Sequence, residues 1–157
     1  SVIIDGQARG MCCGGCQAVA RVMIAQQSGG KIVNIASTSG KIGVARFAAY
    51  CASKFAVIGF TQSLAQELGA YGINVNAICP SLLATERIDD MAAALAPSTL
   101  TPGEQRANMM ASAAQSSPLG RMAEVNDVAA MAAFLASAEA NYLTGLSISV
   151  AGGIQMH

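Results

Sequence analysis

Tyr50 and Lys54 stand four residues apart in a long Ala-rich stretch, and Ser37 closes an apolar run upstream of them. A phenol, an ammonium and a hydroxyl can together move a proton and steady charge that develops on an oxygen atom. On a helix, residues four apart share a face, so the Lys54 ammonium is expected beside the Tyr50 phenol. A neighbouring cation favours the phenolate form of a tyrosine. Tyr-x-x-x-Lys alone is weak evidence, because in many helices the Tyr is a half-buried amphipath and the Lys a solvated charge. Ser37 adds weight, since open α/β sheets place their sites beyond the carboxyl ends of their strands.

The elements that must position these groups follow from the pattern. Residues 32–35 are apolar and β-branched and read as a strand buried on both faces. Ser37, Thr38, Ser39 and Gly40 form a small-residue loop after it. A helix is expected over residues 48–68, with Val57, Ile58, Thr61, Ala65 and Leu68 continuing the face of Tyr50 and Lys54, and Gly69 and Gly72 ending it. Residues 73–79 read as a second strand, again followed by a loop, here opened by Pro80. Residues 8–27 carry a helical pattern that Gly14 and Gly15 weaken by about 1 kcal/mol each. Residues 86–117, rich in Ala and Met with Pro97, Pro102 and Gly103 among them, read as two short helices joined by a loop. Thr85, just before them, has the chemistry of a helix N-cap. A last helix starts near Asn126 and Asp127 and runs to about residue 136, and residues 147–150 form a final strand.

Length and composition bound the function. A chain of 157 residues supports one domain with a real core. Hydrophobic residues make up 53% and charged residues 11%, with a formal net charge of zero, which points away from nucleic acid. No apolar run is long enough to span a bilayer, and no leader opens the chain, so a cytoplasmic enzyme with a small-molecule substrate is expected. Trp is absent and aromatics are 4%, leaving Ala, Ile, Val, Leu and eight Met to fill the core. Cys13 and Cys16 have the spacing of a redox pair, but no second pair or nearby His completes a metal site, and the five cysteines read as reduced small hydrophobes. No metal is expected.

The blocks Asn34-Ile35-Ala36-Ser37, Tyr50-Cys51-Ala52-Ser53-Lys54 and Gly72-Ile73-Asn74-Val75-Asn76 leading into Cys79-Pro80 resemble the short-chain dehydrogenase/reductase family. Pro118-Leu119-Gly120-Arg121, Asp127-Val128-Ala129, Phe134-Leu135-Ala136-Ser137, Tyr142-Leu143-Thr144-Gly145 and Gly152-Gly153 continue it in order. The resemblance implies a doubly wound, Rossmann-type parallel α/β sheet and an NAD- or NADP-dependent oxidoreductase. By resemblance Tyr50 is the acid–base group, Lys54 assists it and holds the nicotinamide ribose, and Ser37 bonds the substrate oxygen. The loop with Pro80, Ser81, Leu83 and Thr85 would hold the nicotinamide carboxamide. Ser81 stands where the family has Gly, which matters if that residue needs a positive φ. Gln7 stands where the family has an Asn that opens a helix and holds a proton-relaying water. The segment after Thr85 would be the substrate lid, with Met91, Leu95, Met109 and Met110 as flexible wall. It has no Arg or Lys pair at its tip, so a small, neutral carbonyl or alcohol is expected, of the acetoin/diacetyl or sugar-alcohol type. A homo-oligomer is also expected, through the last helix and strand.

A Gly-rich turn after a first strand, the usual seat of a dinucleotide pyrophosphate, is missing. The chain therefore reads as the C-terminal half of the fold, with on the order of 90 residues, three βα units at roughly 30 each, expected ahead of it. The strand at residues 32–35 would then be a sheet edge. The rival expectation is a catalytically silent fragment or pseudoenzyme that acts only through its surfaces.

Overall fold

The structure, a computed structural model, describes residues 2–4, 7–9 and 14–156, with side chains from residue 18 onward. Its centre is a parallel sheet of β3 (Gly30–Ile35), β4 (Ile73–Pro80) and β5 (Ser147–Val150), in that order. Apart from it lies an antiparallel pair, β1 (Val2–Ile4) and β2 (Gln7–Arg9), with Ile4 opposite Gln7. The helices are α1 (Gly14–Gln26), α2 (Ala48–Leu68), α3 (Arg87–Leu95), α4 (Pro102–Ser116) and α5 (Val125–Ala136).

β4 organises the rest because both of its faces are covered. All of its residues are buried except Asn74, which is half-buried. On one face Ile73 and Val75 pack with Ala20 of α1 and Leu64, Ala65 and Leu68 of α2, while Ala77 and Cys79 meet Val57 and Ile58. On the other, Ile78 packs with Leu135 of α5, Ala140 and Val128. Helices on both faces of a parallel sheet are the doubly wound arrangement, and a continuous apolar strand is its sequence mark.

The strand and helix limits expected at residues 48–68 and 147–150 match the structure, and the lid segment does form two helices. Three expectations need correction. Residues 7–9 are strand, not the start of a helix: α1 begins at Gly14, so the two glycines sit in its first turn instead of interrupting it. Gln7 therefore lies in β2 and opens no helix, and its side chain is outside the described residues, as are Cys12, Cys13 and the side chain of Cys16. Residues 32–35 have both faces covered, yet none is fully buried and Ile35 is 51% exposed. β3 pairs only with β4 among the described residues, and its open edge leaves it in contact with solvent.

Several quoted blocks prove to be structural joints. Asn76 Nδ2 donates to the Leu143 carbonyl at 2.8 Å and its Oδ1 accepts from the Leu146 N–H at 3.0 Å. Asn74 Nδ2 donates to the carbonyls of Asn141 and Leu143, and Thr144 Oγ1 accepts from the Val75 N–H. β4 thus carries, on alternate residues, the amides that dock the loop entering β5. At the start of α5, both terminal nitrogens of Arg121 donate to Asp127 at 2.7 and 2.8 Å, and Asp127 accepts the Glu124 N–H at 2.8 Å. Gly152, at φ 57°, lies so close to Ser117 that a Cβ would come within 2.4 Å of its hydroxyl oxygen.

Two stability measurements check these joints. Asn76→Ala removes a fully buried amide that bonds two backbone groups of the loop entering β5 and is expected to cost about 2 kcal/mol or more in urea denaturation; a loss under roughly 0.5 kcal/mol, as at an ordinary surface site, would contradict the assignment. The Arg121 hydrogen bonds, then the Glu124 N–H, hold the Asp127 carboxyl well below its ordinary value of 3.8. A depressed carboxylate contributes stability that is complete above that ordinary value and fades as pH falls toward the folded one. The melting-temperature advantage over Asp127→Asn should therefore be constant near neutrality and shrink below about pH 4; an advantage that persists unchanged to pH 2 would refute the linkage.

Candidate active site

The carboxyl ends of β3 and β4, the first turns of α2 and the start of α3 enclose a cleft of about 420 Å³. Ser37, Tyr50, Lys54, Pro80, Ser81, Leu83 and Thr85 all line it. Every sequence-predicted site residue except Gln7 is thereby brought to one place.

Ser37 leaves β3 in an extended conformation and opens a tight turn, Thr38–Gly40, accepting the Ser39 N–H on its Oγ at 3.2 Å. That bond uses an oxygen lone pair and leaves the O–H free to donate. Lys54 Nζ donates to the Ile35 carbonyl at 3.1 Å, which ties α2 to the end of β3 and leaves two further N–H donors. The same ammonium lies 5.8 Å from the centre of the Tyr50 ring. Phe47 meets that ring edge-on, at 6.4 Å between centres, and fixes its tilt.

Two contacts set the distance between the Ser37 loop and α2. Deeper in the sheet, Asn34 Nδ2 donates to Thr61 Oγ1 at 2.9 Å, and the Thr61 hydroxyl donates to the Val57 carbonyl. Thr61, itself fully buried, lies on the helix face of Tyr50 and Lys54, so this pin fixes the register of that face on β3. Nearer the site, Gly40 is pressed against the helix: a Cβ there would stand 2.7 Å from the Lys54 carbonyl oxygen.

The remaining loop is held by backbone. Ser81 N–H donates to the Val150 carbonyl at 3.2 Å, and Leu83 bridges to Ala123. The positive-φ residues other than glycine among those described are Gln27 and Arg46, so Ser81 has an ordinary backbone and its departure from Gly brings no left-handed strain. Thr85 is not the N-cap of α3; Glu86 holds that place and Thr85 faces the cleft. Behind Ser37, Cys79 is a free, fully buried thiol, and burial pushes its pKa up, keeping it neutral.

Sequence reasoning missed Arg87, whose guanidinium carbon lies 5.2 Å from the centre of the Tyr50 ring, and missed Val44 and Phe47 as lining residues. Position offered a signal: Arg87 follows Thr85 by two residues at the exit of the same loop. Counting only lid-tip charges passed over it.

A parallel sheet wound by helices on both faces, with serine, tyrosine and lysine gathered beyond its strand ends, defines a protein of the doubly wound α/β class. A family model described as enoyl-(acyl carrier protein) reductase matches residues 3–155. The chain belongs to the short-chain dehydrogenase/reductase family. It is 44% identical over 138 residues to a galactitol 2-dehydrogenase of Agrobacterium fabrum, covering 87% of this chain and 52% of that protein. Among solved structures, an acetoin dehydrogenase from Salmonella typhimurium is similar at a TM-score of 0.70 and 32% identity, covering 88% of this chain and 48% of that one. A 3-oxoacyl-[acyl-carrier protein] reductase from Brucella melitensis with bound NAD is similar at a TM-score of 0.72 and 33% identity, covering 91% and 47%. The chain spans about half the length of the curated relatives it matches.

Gly40→Ala tests the spacing of the site. The added methyl must push the Ser37 loop off α2, at a cost of about 1–3 kcal/mol from overpacking. Chemical denaturation should show that loss; stability equal to wild type would mean the contact does not set the spacing.

Proposed function

We propose that this chain carries the catalytic groups of an oxidoreductase that moves hydride between a nicotinamide cofactor, NAD or NADP, and a small secondary alcohol or ketone. One observation carries the reading: the Ser37 hydroxyl, the Tyr50 phenol and the Lys54 ammonium enter a single cleft from a strand end and a helix. The donor set fits such a cofactor. Lys54 has free N–H donors for a ribose diol, and the Pro80–Thr85 loop offers backbone groups and the Thr85 hydroxyl to an amide.

When bound, the nicotinamide would supply or accept the hydride. In reduction Tyr50 gives its proton to the oxygen that becomes alkoxide, and in oxidation its phenolate takes the alcohol proton. Ser37, held by the Ser39 N–H, donates its own hydrogen to that oxygen as charge builds. Lys54 places its positive charge 5.8 Å from the centre of the Tyr50 ring. Leu82, Leu83, Ile88 and Met91 give the cleft an apolar wall that strengthens these interactions. The galactitol and acetoin relatives support a small secondary carbinol of the polyol or acetoin/diacetyl type.

Turnover of diacetyl, acetoin and galactitol with each cofactor, followed by nicotinamide absorbance, tests the reading. Tyr50→Phe should lower the rate by about 10²-fold or more, and Ser37→Ala by about 10². Undiminished turnover in Tyr50→Phe would refute it.

A further inference from the structure

Resting on that reading, we propose that Lys41 is a positioning residue for the reaction: it straps the turn that carries Ser37 to β5. Lys41 follows that turn directly, and its N–H donates to the Thr38 carbonyl at 2.9 Å. From the end of β3 the half-buried lysine reaches across β4 to β5, two strands away. There its Nζ donates to the Ser147 carbonyl and, at 2.9 Å, to Ser149 Oγ. Neither Lys41 nor either serine lines the cleft, so the lysine acts only through the turn it holds.

The sequence of β5, Ser-Ile-Ser-Val, suits it to receive this ammonium. Side chains alternate along a strand, so Ile148 and Val150 join the core with α5, while Ser147 and Ser149 share the face of Ala77 and Cys79, their partners in register. On that face Val57 and Ile58 of α2 cover Ala77 and Cys79, and β5 presents hydroxyls instead of apolar groups. Pairing with β4 also leaves an acceptor over. The carbonyls of Leu146 and Val150 accept the N–H groups of Ala77 and Ser81, so the Ser147 carbonyl, one residue out of step, points to the other edge of the strand. Two charge-assisted hydrogen bonds to one strand offset the rotamer freedom that ordering a lysine costs.

The Ser37 turn is thereby gripped from two sides. Gly40 stands against the Lys54 carbonyl of α2, and Lys41, the next residue, is tied to β5. The Val150 carbonyl of β5 also holds the Ser81 N–H, so the turn and the loop across the cleft are both referenced to one strand. The span between the Ser37 hydroxyl and the loop that would meet the nicotinamide then depends on Lys41.

Lys41→Met keeps the apolar stem and removes the donors, whereas Lys41→Arg keeps charge and donors. Both are compared with wild type by native-state amide hydrogen exchange, resolved by NMR. The Ser39 and Gly40 N–H groups, bonded to the Ser37 hydroxyl and carbonyl, report the turn, and the Ala77 N–H reports the pairing of β4 with β5. Lys41→Met should lower protection of both turn amides by about tenfold or more and that of Ala77 by less than about twofold, and Lys41→Arg should restore most of the loss. Turn amides as protected in Lys41→Met as in wild type would overturn the proposal. So would a loss at Ala77 as large as at the turn, the mark of a lysine that serves only the edge of β5, or an Arg variant no better than the Met one. In turnover of diacetyl, Lys41→Met should lower kcat by about tenfold with KM nearly constant, a loss confined to the transition state; full kcat beside a loosened turn would also overturn it. The exchange result needs no turnover, so a loosened turn beside undiminished turnover in Tyr50→Phe would contradict the hydride-transfer reading and leave the strap in place.

Discussion

The hydrogen bond from the half-buried Asn34 to the buried Thr61, between β3 and α2, is the constraint on which the site depends. It joins a strand side chain to the helix face that also carries Tyr50 and Lys54. Sliding α2 along the sheet would take the Asn34 amide away from its acceptor on the buried Thr61, a penalty that apolar contacts alone would not impose. The helix therefore has one register on the strand. Given that register, Lys54 reaches the last carbonyl of β3 and Gly40 admits the Ser37 loop against the helix. Acid–base chemistry at a carbonyl needs donors fixed to a fraction of an ångström, and such positioning is cheapest when rigid elements supply it.

The second layer of the design is the separation of β4 from the chemistry it supports. Its side chains make no contribution to the cleft except through Pro80. They are spent on the two cores and on the asparagine amides that dock the entry to β5. β5 in turn holds the Pro80–Thr85 loop through the Val150 carbonyl. The loop that would meet the cofactor is thus held by the strands on either side of it, and Ser81 stands in place of a glycine without backbone strain.

Much of this was legible in the sequence, for identifiable reasons. The limits of α2 and β5 were readable because glycines and apolar periodicity mark them, and the gathering of Ser37, Tyr50, Lys54 and Thr85 followed from strand-end geometry. Residues 8 and 9 carry a helical period yet pair as strand, and a pairing partner is not a local property. The chemistry of Thr85 fits a helix cap, whereas α3 starts a residue later than a Thr85 cap would require. Arg87 escaped because its importance comes from lying over a ring on another element. The sequence distance between Tyr50 and Arg87 hides that contact.

On the proposed function, the cleft around Tyr50 and Lys54 receives a nicotinamide cofactor. The most direct measurement is a fluorescence titration of the 157-residue chain with each reduced nicotinamide dinucleotide, beside Lys54→Ala. Saturable binding of at least one dinucleotide that Lys54→Ala weakens about tenfold or more, the loss of one charged hydrogen bond, is the predicted result. Absence of binding to both, or binding that Lys54→Ala leaves unchanged, would contradict it.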